Sequence, residues 1–587
     1  MQENNEKLEH IRHSLAHLLA AAVMESYPKT KLGIGPAVEN GFYYDMELPK
    51  EFKPEDLAKI EARMKELIKE NQEFIGKKVT KLVAKKLFKT SPYKLELIKD
   101  IKEKTVGTYQ NGAFLDLCRG GHVENTKEID PQSFKLTKIA GAYWKGSEKN
   151  TMLTRIYGVA FLTAKELQDY LTMQAEAEKR DHRLLGQKLD LFVFSDLVGP
   201  GLPLYTPKGT MVLKAIKNYS NQLQREIGYQ EVQTPNMNRV ELFKISGHYE
   251  KYKDDMFVVK SHYSKEDYYL KPMNCPQHTQ LYASQPRSYK ELPIRFADFA
   301  QLYRDEKTGE LSGLTRLRAF SQDDGHCFCR EDQIKDEFKA VLDAIEKAMK
   351  TYGMQYSVRL SLWDPEKPEK YLGDKKTWDK AQKTLEEILV ENNIKYTIGI
   401  GEAALYGPKM DLISHDSLGR EWQISTIQLD LIMPGRFGLT YTDSDGKEKT
   451  PVMIHRALVG SPERFFGILL EHYSGNFPAW LAPVQVAVIP ISEKHTDYAA
   501  EVANALKQAG IRFEVRNENE SLGKKIRAAE MQRIPYLLIM GDKEMEGKTV
   551  AVRQRTKSLP ADKQSDAGTM AIGDFIVKIK QEITDKK

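Results

Sequence analysis

Four side chains that can bind a metal or take part in hydrolysis lie in two short segments of the N-terminal part of the sequence. The segment HSLAH places His13 and His17 four residues apart, and the later segment CRGGH supplies Cys118 and His122. Residues four apart on a helix lie on the same face, so both imidazoles are expected to point to one side. One thiol and three imidazoles form a four-ligand zinc set, so the residue types alone leave a metal site open.

Arginine residues in two later segments are suited to binding phosphate. Arg304 and Glu306 lie in FADFAQLYRDEKTGELSGLTRLRAFSQDDGHCFC, and Arg464 lies in VMIHRALVGSPERFFGILLE. A guanidinium can hold a phosphate through two parallel hydrogen bonds, which a lysine ammonium cannot do. A reaction that brings a carboxylate to a triphosphate needs such cations to offset the charge and align the in-line displacement. A single arginine on a strand is more often a solvated or salt-bridged residue, so the prediction depends on the whole segments.

These two segments follow IGYQEVQTPNM, which contains Pro235, and in this order the three resemble the three motifs of class II aminoacyl-tRNA synthetases. The resemblance implies that Arg304 holds the α-phosphate of ATP, that Arg464 holds the other end, and that Glu306 belongs to the same catalytic set. It also implies that Mg²⁺ accompanies ATP. In that class the first motif packs against its own copy, so a homodimer is expected.

Shorter segments make the resemblance more specific. KPMNCPQH, FSQDDGH, ALYGPKMD, STIQLD and PVMIHRALVGS each resemble threonyl-tRNA synthetases, and the resemblance covers essentially the whole chain. It implies one zinc ion per subunit, bound by Cys275, His326 and His455 with a fourth position left open. These three residues are so far apart in the sequence that their spacing alone predicts no metal site.

The same resemblance implies the rest of the active site and a reason for a second one. Threonine and valine are nearly isosteric, and an apolar pocket separates such pairs only about 100-fold. A metal that binds both the amino group and the hydroxyl rejects valine but not serine, so a second, hydrolytic sieve is required. The residues implied around the amino acid are Gln322, Asp324, Tyr406 and Gln428, and those implied at the adenylate are Met273, Arg316 and Lys409.

The N-terminal block resembles the editing domain of bacterial members of the family. The resemblance implies that His13, His17, Lys94, Asp116, Cys118 and His122 line a pocket that hydrolyses seryl-tRNA(Thr). In that family the pocket is generally taken to work without a metal, whereas related alanine-type editing domains carry zinc, so both interpretations stay open here. The other histidines, such as His10 and His182, are predicted to be ordinary surface residues.

The C-terminal block resembles the anticodon-binding domain of several class II enzymes. Sequence-specific RNA recognition reads the edges of unstacked loop bases, which needs polar side chains on a rigid sheet. The positions implied for this role are Asn519, Arg527, Glu544 and Arg553. Surface salt bridges are the alternative for each of them.

Patterns of apolar residues predict the elements that must position these groups. Ile11 to Met24 has helical spacing and should end at Tyr27-Pro28, and a charged amphipathic helix is expected over 55–71. Residues 163–188 are predicted to form one continuous polar helix between domains. Short apolar runs in 190–480 indicate a large antiparallel sheet, and the strand–helix–strand alternation after Val484 indicates an α/β domain with a mostly parallel sheet.

The sequence therefore predicts an α+β multidomain protein with four parts. These are an N-terminal α+β editing domain over 1–162, a helical linker over 163–188, a class II antiparallel catalytic core over 189–482, and an α/β anticodon-binding domain over 483–587. A chain of 587 residues is too long for one core. Its 41% apolar and 29% charged residues are typical of a soluble globular protein, and a net charge of +5 permits RNA binding without requiring it.

Location and partners follow from the same observations. No run of apolar residues approaches the roughly 20 needed to cross a membrane, and the polar N-terminus has no signal-peptide core. Four cysteines are too few for a disulfide framework and suit a reducing cytoplasm. We expect a cytoplasmic homodimer that binds tRNA(Thr), ATP and L-threonine, with no membrane partner.

Two other functions are compared with a ligase that edits. A non-catalytic RNA-binding paralogue should have lost Arg304, Arg464 or a zinc ligand, and all are present. A free-standing editing hydrolase needs no adenylate motifs, and these are intact. Family members usually begin with a small extra domain that this sequence lacks, either naturally or through trimming, and editing and catalysis are expected to survive without it.

Overall fold

The computed structural model describes residues 2–263, 265–416, 419–555 and 564–587. The chain forms two compact units, Met1–Ala175 and Glu176–Lys587, and the division falls within one helix. Among the described residues, no helix is both long and apolar enough to span a membrane.

The first unit is built on a long N-terminal helix whose middle is apolar on the side that faces a sheet. The predicted helix end before Pro28 is confirmed, since α1 ends at Ser26. A five-stranded antiparallel sheet, in the order β1-β3-β8-β7 with β2 beside β3, packs with α1 and α2, and a separate three-stranded sheet has the order β4-β5-β6. The helices are α1 (Gln2–Ser26), α2 (Pro54–Lys69), α3 (Lys81–Leu87), α4 (Pro92–Asp100) and α5 (Ala164–Lys179), and the strands are β1 (Lys31–Leu32), β2 (Ala37–Val38), β3 (Gly41–Glu47), β4 (Phe74–Thr80), β5 (Thr105–Asn111), β6 (Phe114–Leu117), β7 (Phe134–Tyr143) and β8 (Met152–Ala160).

The second unit contains the large sheet predicted for its central region. Eight strands follow the order β11-β15-β16-β23-β20-β19-β17-β18, and all neighbours are antiparallel except the two outermost pairs. Helices pack on one face and form the largest core of the protein. The helices here are α6 (His182–Lys188), α7 (Pro207–Glu226), α8 (Val240–Ile245), α9 (His248–Tyr252), α10 (Cys275–Ala283), α11 (Ile334–Tyr352), α12 (Lys375–Glu391), α13 (Met433–Arg436) and α14 (Pro462–His472).

The strands of this central region include the three segments that the motifs predicted. The second motif forms a hairpin of β15 and β16, and the third forms β23 followed by α14. The strands are β9 (Phe192–Val193), β10 (Leu204–Tyr205), β11 (Gln230–Glu231), β12 (Met237–Arg239), β13 (Val258–Lys260), β14 (Asp267–Leu270), β15 (Ile294–Tyr303), β16 (Ala319–Cys329), β17 (Ser357–Leu362), β18 (Tyr396–Ile400), β19 (Lys409–His415), β20 (Glu421–Asp430), β21 (Tyr441–Thr442), β22 (Glu448–Lys449) and β23 (Val452–Ala457).

The C-terminal region has a sheet of its own in the order β25-β24-β26-β27-β28. The prediction of a mostly parallel sheet is wrong in detail, because β24 pairs parallel with β25 and β26, while β27 pairs antiparallel with β26 and β28. The strands are β24 (Val486–Pro490), β25 (Phe513–Val515), β26 (Tyr536–Met540), β27 (Thr549–Gln554) and β28 (Ser565–Ala571), and the helices are α15 (Thr496–Gln508), α16 (Leu522–Met531), α17 (Asp542–Gly547) and α18 (Ile572–Asp585).

Two predictions for the segment 163–188 are wrong. The segment is not one continuous helix, because α5 ends at Lys179 and Asp181 caps a new helix by accepting a hydrogen bond from the backbone N–H of Arg183 at 2.8 Å. His182, expected at the surface, is only 2% exposed. The sequence conceals this break because the segment is a charged run of good helix formers. An aspartate in such a run is compatible both with the polar face of a continuous helix and with the cap of a new one.

Candidate functional site

The first candidate site is a polar cleft on the open face of the eight-stranded sheet. Its cavity volume is about 270 Å³. The second-motif hairpin, β20, β23 and the start of α14 form its walls. Of the residues that the sequence predicted for catalysis, this cleft brings together Met273, Cys275, Arg304, Gln322, Asp324, His326, Tyr406, Gln428, His455 and Arg464.

Three predicted metal ligands converge in this cleft. His326 on β16 and His455 on β23 are paired directly across neighbouring strands, and their ring centroids lie 4.7 Å apart. Cys275 is the first residue of α10, and one donor atom from each of the three residues lies within 4.8 Å of the others. The three side chains are buried. Sheet register therefore joins residues that are far apart in the sequence.

Neighbouring groups prepare these side chains to bind a cation. His455 Nε2 lies 2.9 Å from Asp430 Oδ2, and His326 Nδ1 lies 2.7 Å from His278 Nδ1, so each ring keeps its other nitrogen for the cleft. Burial lowers the pKa of His326 well below its usual range, with His455 and His278 adding to this, so the imidazole is neutral, as a metal ligand must be.

The thiol of Cys275 supports the same conclusion. Burial, with Asp324 and Asp430 nearby, raises its pKa well above the ordinary value, so a thiolate at this position needs a cation beside it. Two imidazoles and a thiol around an open cleft are a donor set that fits zinc with one position left for a ligand.

Positive charge concentrates at the other end of the cleft. A second cavity of about 340 Å³ shares Met273 and Arg304 with the first, and Glu306 and Arg316 also line it. Burial lowers the pKa of Arg464 to about 10, and the charges of Arg304 and Arg316 add to this effect. Guanidiniums that destabilise one another in a partly buried cleft favour a polyanion between them.

The side chains predicted around the amino acid also meet here. Tyr406 donates a hydrogen bond to Gln428 Oε1 at 2.7 Å, and its ring stacks on His455 with a centroid distance of 4.4 Å. Burial raises the pKa of Asp324 to about 7, although Arg456 lowers it. Lys409 does not line the cleft, since its ammonium binds Asp411 and lies 3.5 Å from Gln423 Oε1.

A buried carboxylate that the motifs did not single out holds the second and third motifs together. Asp323 accepts hydrogen bonds from Arg456 Nη1 at 2.7 Å and from the backbone N–H groups of Leu458 and Val459, both at 3.1 Å. It also accepts from Ser220 and Gln224 on α7. Asp323 stands in the FSQDDGH segment next to Asp324, but the sequence does not show which of two adjacent aspartates faces the core.

The second candidate site lies in the first unit, where α1 meets the loop after β6. Cys118 Sγ lies 3.4 Å from His13 Nε2 and 3.2 Å from His122 Nε2, and the His17 and His122 ring centroids lie 4.3 Å apart. One donor atom from each of the four residues lies within 4.8 Å of the other three. Burial lowers the pKa of His122 to about 2 and that of His17 well below the ordinary value, so these rings are neutral.

A buried charged group completes this second site. Lys94 Nζ lies 2.6 Å from Asp116 Oδ1 and donates to the hydroxyl of Tyr44 at 3.0 Å, and Tyr44 in turn donates to Asp116. All three residues are buried, and His17 Nε2 lies 4.0 Å from Asp116 Oδ2. Tyr44 was missed because a lone tyrosine on a strand has no sequence signature. The Nδ1 atom of His17 is buried without a hydrogen-bond partner within this part of the described chain.

The four predicted anticodon positions lie in the C-terminal region but not at one place on its sheet: Asn519 follows β25, Arg527 is on α16, Glu544 is on α17, and Arg553 is paired with Leu537 near the amino end of β26. Asn519 and Arg527 are exposed, and Arg553 is half-buried on β27. Asn519 also lines a cavity of about 430 Å³ beyond the carboxyl end of β24. Glu544 accepts a hydrogen bond from the backbone N–H of Gly541 at 2.9 Å, so one of its oxygens caps α17.

Comparisons with known families match three parts of the chain. Residues 257–473 match the tRNA synthetase class II core domain (G, H, P, S and T), and residues 485–582 match an anticodon binding domain. Residues 106–157 match the threonyl and alanyl tRNA synthetase second additional domain.

Curated relatives are similar over nearly the full length. The threonine–tRNA ligase of Thermotoga neapolitana is 46% identical over 588 residues, covering 100% of this chain and 90% of that protein. The threonine–tRNA ligase of Thermus thermophilus is 46% identical over 593 residues, covering 98% and 89%. Among solved structures, the RNA binding domain of threonyl-tRNA synthetase from Cryptosporidium parvum is 36% identical with a TM-score of 0.64, covering 68% of this chain and 98% of that chain.

Proposed function

The chain belongs to the threonine–tRNA ligases, class II aminoacyl-tRNA synthetases with an editing domain, and from this premise we propose how its residues divide the work between two active sites. The enzyme uses ATP with Mg²⁺ to activate L-threonine, transfers it to tRNA(Thr), and hydrolyses mischarged seryl-tRNA(Thr). One observation supports this division most strongly: the described residues contain two separate clusters of Cys and His side chains, and only one of them lies beside Arg304 and Arg464.

Arg304, Arg316 and Arg464 bind the triphosphate in this proposal. The arginines share adjoining cavities, and their mutual repulsion is relieved when a polyanion binds between them. Arg304 holds the α-phosphate, where two parallel hydrogen bonds fix the geometry of in-line attack by the carboxylate of threonine. Glu306 accepts from Arg316 Nε at 2.8 Å and so restrains it when no nucleotide is bound.

We expect Arg304→Lys to lower the rate of threonine-dependent ATP–pyrophosphate exchange by at least about tenfold, because a point charge cannot replace the two-pronged clamp. Arg330→Lys is the matched control, since Arg330 directly follows β16 as Arg304 follows β15 but pairs with Asp332 at the surface. An unchanged rate in Arg304→Lys would contradict the assignment to the α-phosphate.

Cys275, His326 and His455 would hold zinc, and Asp430 and His278 would orient the two imidazoles. When bound there, zinc would supply a Lewis-acidic position for the amino and hydroxyl groups of threonine. Gln322, Asp324, Tyr406 and Gln428 surround the remaining space, and the hydrogen bond from Tyr406 to Gln428 fixes the wall against which the amino acid packs. Lys409 acts at most through Gln423, because its ammonium is turned toward Asp411.

His13, His17, Cys118 and His122 form the editing centre in this proposal, with Lys94 and Asp116 beside them. A neutral imidazole nitrogen can accept a hydrogen bond from water, and His17 Nδ1, which has no hydrogen-bond partner among the described residues, offers a place for one. Holding the water and the ribose hydroxyl in line with the ester supplies most of the effect. Threonine is larger than serine by a methyl group, which can exclude it by collision.

Asn519, Arg527, Glu544 and Arg553 would read the anticodon. The position of two of them supports this, since Asn519 follows β25 and Glu544 follows β26, at the carboxyl ends where open α/β sheets bind ligands. The four cysteines are unpaired, which suits a cytoplasmic enzyme.

A homodimer is proposed from the first motif. Strand β11 is one edge of the large sheet, and Gln230 and Glu231 on this strand and Pro235 after it are exposed, so a second copy can cover this edge. We expect light scattering at micromolar concentration to give twice the mass of one chain. A mass equal to that of one chain under these conditions would contradict the dimer.

A further inference from the structure

His182 is a buried histidine outside both active sites, and both of its ring nitrogens and its backbone N–H are hydrogen-bonded. It is the first residue of α6 and is 2% exposed. Its Nδ1 lies 2.7 Å from Glu471 Oε1, and its backbone N–H donates to the same oxygen at 3.2 Å. Its Nε2 accepts a hydrogen bond from the backbone N–H of Leu314 at 3.0 Å.

This hydrogen-bond pattern fixes the tautomer of the ring, that is, which of its two nitrogens carries the proton. Because Nε2 accepts from a backbone N–H, the proton of the neutral ring is on Nδ1, where it is donated to Glu471. Asp181, His182 and Glu471 lie close enough to suggest a metal site, but both ring nitrogens are already used. The group therefore joins α6 to the loop that contains Leu314.

That loop is a tight turn, and the turn carries an arginine of the ATP site. Thr315 N and Arg316 N both donate to Ser312 O, at 2.9 and 3.2 Å. Gly313 has a φ of +45°, and a Cβ at this residue would lie 2.1 Å from His182 Nε2. The turn can approach His182 this closely only because residue 313 has no side chain.

One face of α14 contacts both this turn and His182. Arg464, Gly467 and Glu471 are three to four residues apart and therefore lie on the same face of the helix. Arg464 Nε donates to Thr315 O at 2.8 Å, and a Cβ at residue 467 would lie 3.4 Å from both His182 and Leu314. Glu471 reaches the turn through His182. Two hydrogen bonds thus hold the turn: the N–H of Leu314 donates to His182, and Arg464 donates to the carbonyl of the next residue, Thr315.

We propose that His182, oriented by Glu471, is a positioning residue that holds the 312–316 turn and so sets where Arg316 and Arg464 meet the phosphates of ATP. This inference rests on the ATP-binding roles proposed above for these arginines. His182 touches no substrate in this assignment. Without its Nε2, the N–H of Leu314 is buried with no partner, and the turn can relax only by moving Thr315 and Arg316.

Two substitutions of His182 separate its two contacts. The amide of asparagine reaches the position of Nδ1, so His182→Asn keeps a donor for Glu471 and loses the acceptor for Leu314. The amide oxygen of glutamine reaches the position of Nε2, so His182→Gln keeps the acceptor. Glu471→Ala is a third variant, because it leaves the ring in place without the group that orients it.

In threonine-dependent pyrophosphate exchange with the full chain, we expect His182→Asn to raise the KM for ATP about tenfold, the cost of one buried unpaired N–H. The KM for threonine should stay within about twofold, because the turn does not reach that end of the cleft. Glu471→Ala should show the same selective rise, and His182→Gln should keep the wild-type KM for ATP. If His182 acts through Arg316, the double variant His182→Asn, Arg316→Ala should lose less than the product of the two single effects.

A wild-type KM for ATP in both His182→Asn and Glu471→Ala would overturn the proposal, as would an equal rise of both KM values or an equal effect of asparagine and glutamine. Arg316→Ala, measured alongside, separates this failure from a failure of the assigned ATP role. If Arg316→Ala also keeps the wild-type KM for ATP, the role of Arg316 is wrong. If it raises that KM while the other variants do not, only the role of His182 is wrong.

Discussion

The His326→Ala variant is expected to lose threonine activation completely and to contain no zinc in the catalytic cleft, where the wild-type protein should hold about one zinc ion per chain. The ring of His326 is buried between Cys275 and His455, and its partner His278 fixes its orientation. The two ligands that remain, Cys275 and His455, are too few to hold a zinc ion. Metal analysis of the purified protein and pyrophosphate exchange with threonine measure the two effects independently.

Two companion variants make this result specific. Cys329→Ala alters the same strand, β16, three residues after His326. Because side chains alternate between the two faces of a strand, the side chain of Cys329 lies on the face opposite to His326, so zinc content and activity should be retained. Asp430→Asn removes the carboxylate 2.9 Å from His455 Nε2 and should weaken zinc binding by about 10- to 100-fold without deleting a ligand. Wild-type activation by His326→Ala would show that this residue is not a ligand the reaction needs.

Exchange measured with valine and serine tests the reason for the metal. The wild-type protein should activate serine but not valine, since valine offers no hydroxyl to a metal. Activation of valine at the rate of threonine would mean that the cleft selects by shape alone.

Local patterns in the sequence were enough to predict the elements that position the residues of the proposed editing centre. Helical spacing placed His13 and His17 on one face of α1, and the structure confirms that both meet Cys118 and His122. The same kind of pattern missed Tyr44, whose role depends on its contact with the distant Asp116, and it overlooked the break at Asp181, because an aspartate within a charged run cannot be recognised as a helix cap. The single aspartate that starts α6 is what directs His182 into the core.

The proposed metal ligands show a different limit of sequence-based prediction. His326 and His455 become neighbours because β16 and β23 pair in one particular register, and Cys275 joins them from the start of α10. Register in a sheet depends on which faces are buried, which a single strand does not reveal. Only the resemblance to a family named these three residues together. The partly antiparallel C-terminal sheet has a similar cause, since strand–helix alternation does not fix the direction of the last two strands.

The last prediction follows from the chemistry of the proposed zinc site, which would admit serine together with threonine, so that the proposed editing centre must remove the product. Changing His13 and His17 together to alanine should leave threonine charging close to wild type and let seryl-tRNA(Thr) accumulate. The expected loss in deacylation of pre-formed seryl-tRNA is about 100-fold, the cost of an attacking water that is no longer held in place. Removal of both rings empties the side of the cluster that faces Cys118 and His122.

His326→Ala is the reciprocal control, because it should lose charging and keep deacylation. Zinc analysis of that variant also decides between the two interpretations of the editing cluster: the proposed hydrolysis uses no metal, so no zinc should remain, whereas about one ion per chain would place a metal among His13, His17, Cys118 and His122. Equal deacylation rates for the wild type and the double alanine variant would show that this cluster is not the editing site. A loss of both activities in the double variant would mean that α1 supports the fold of the whole chain, and the two functions could not then be assigned to separate centres.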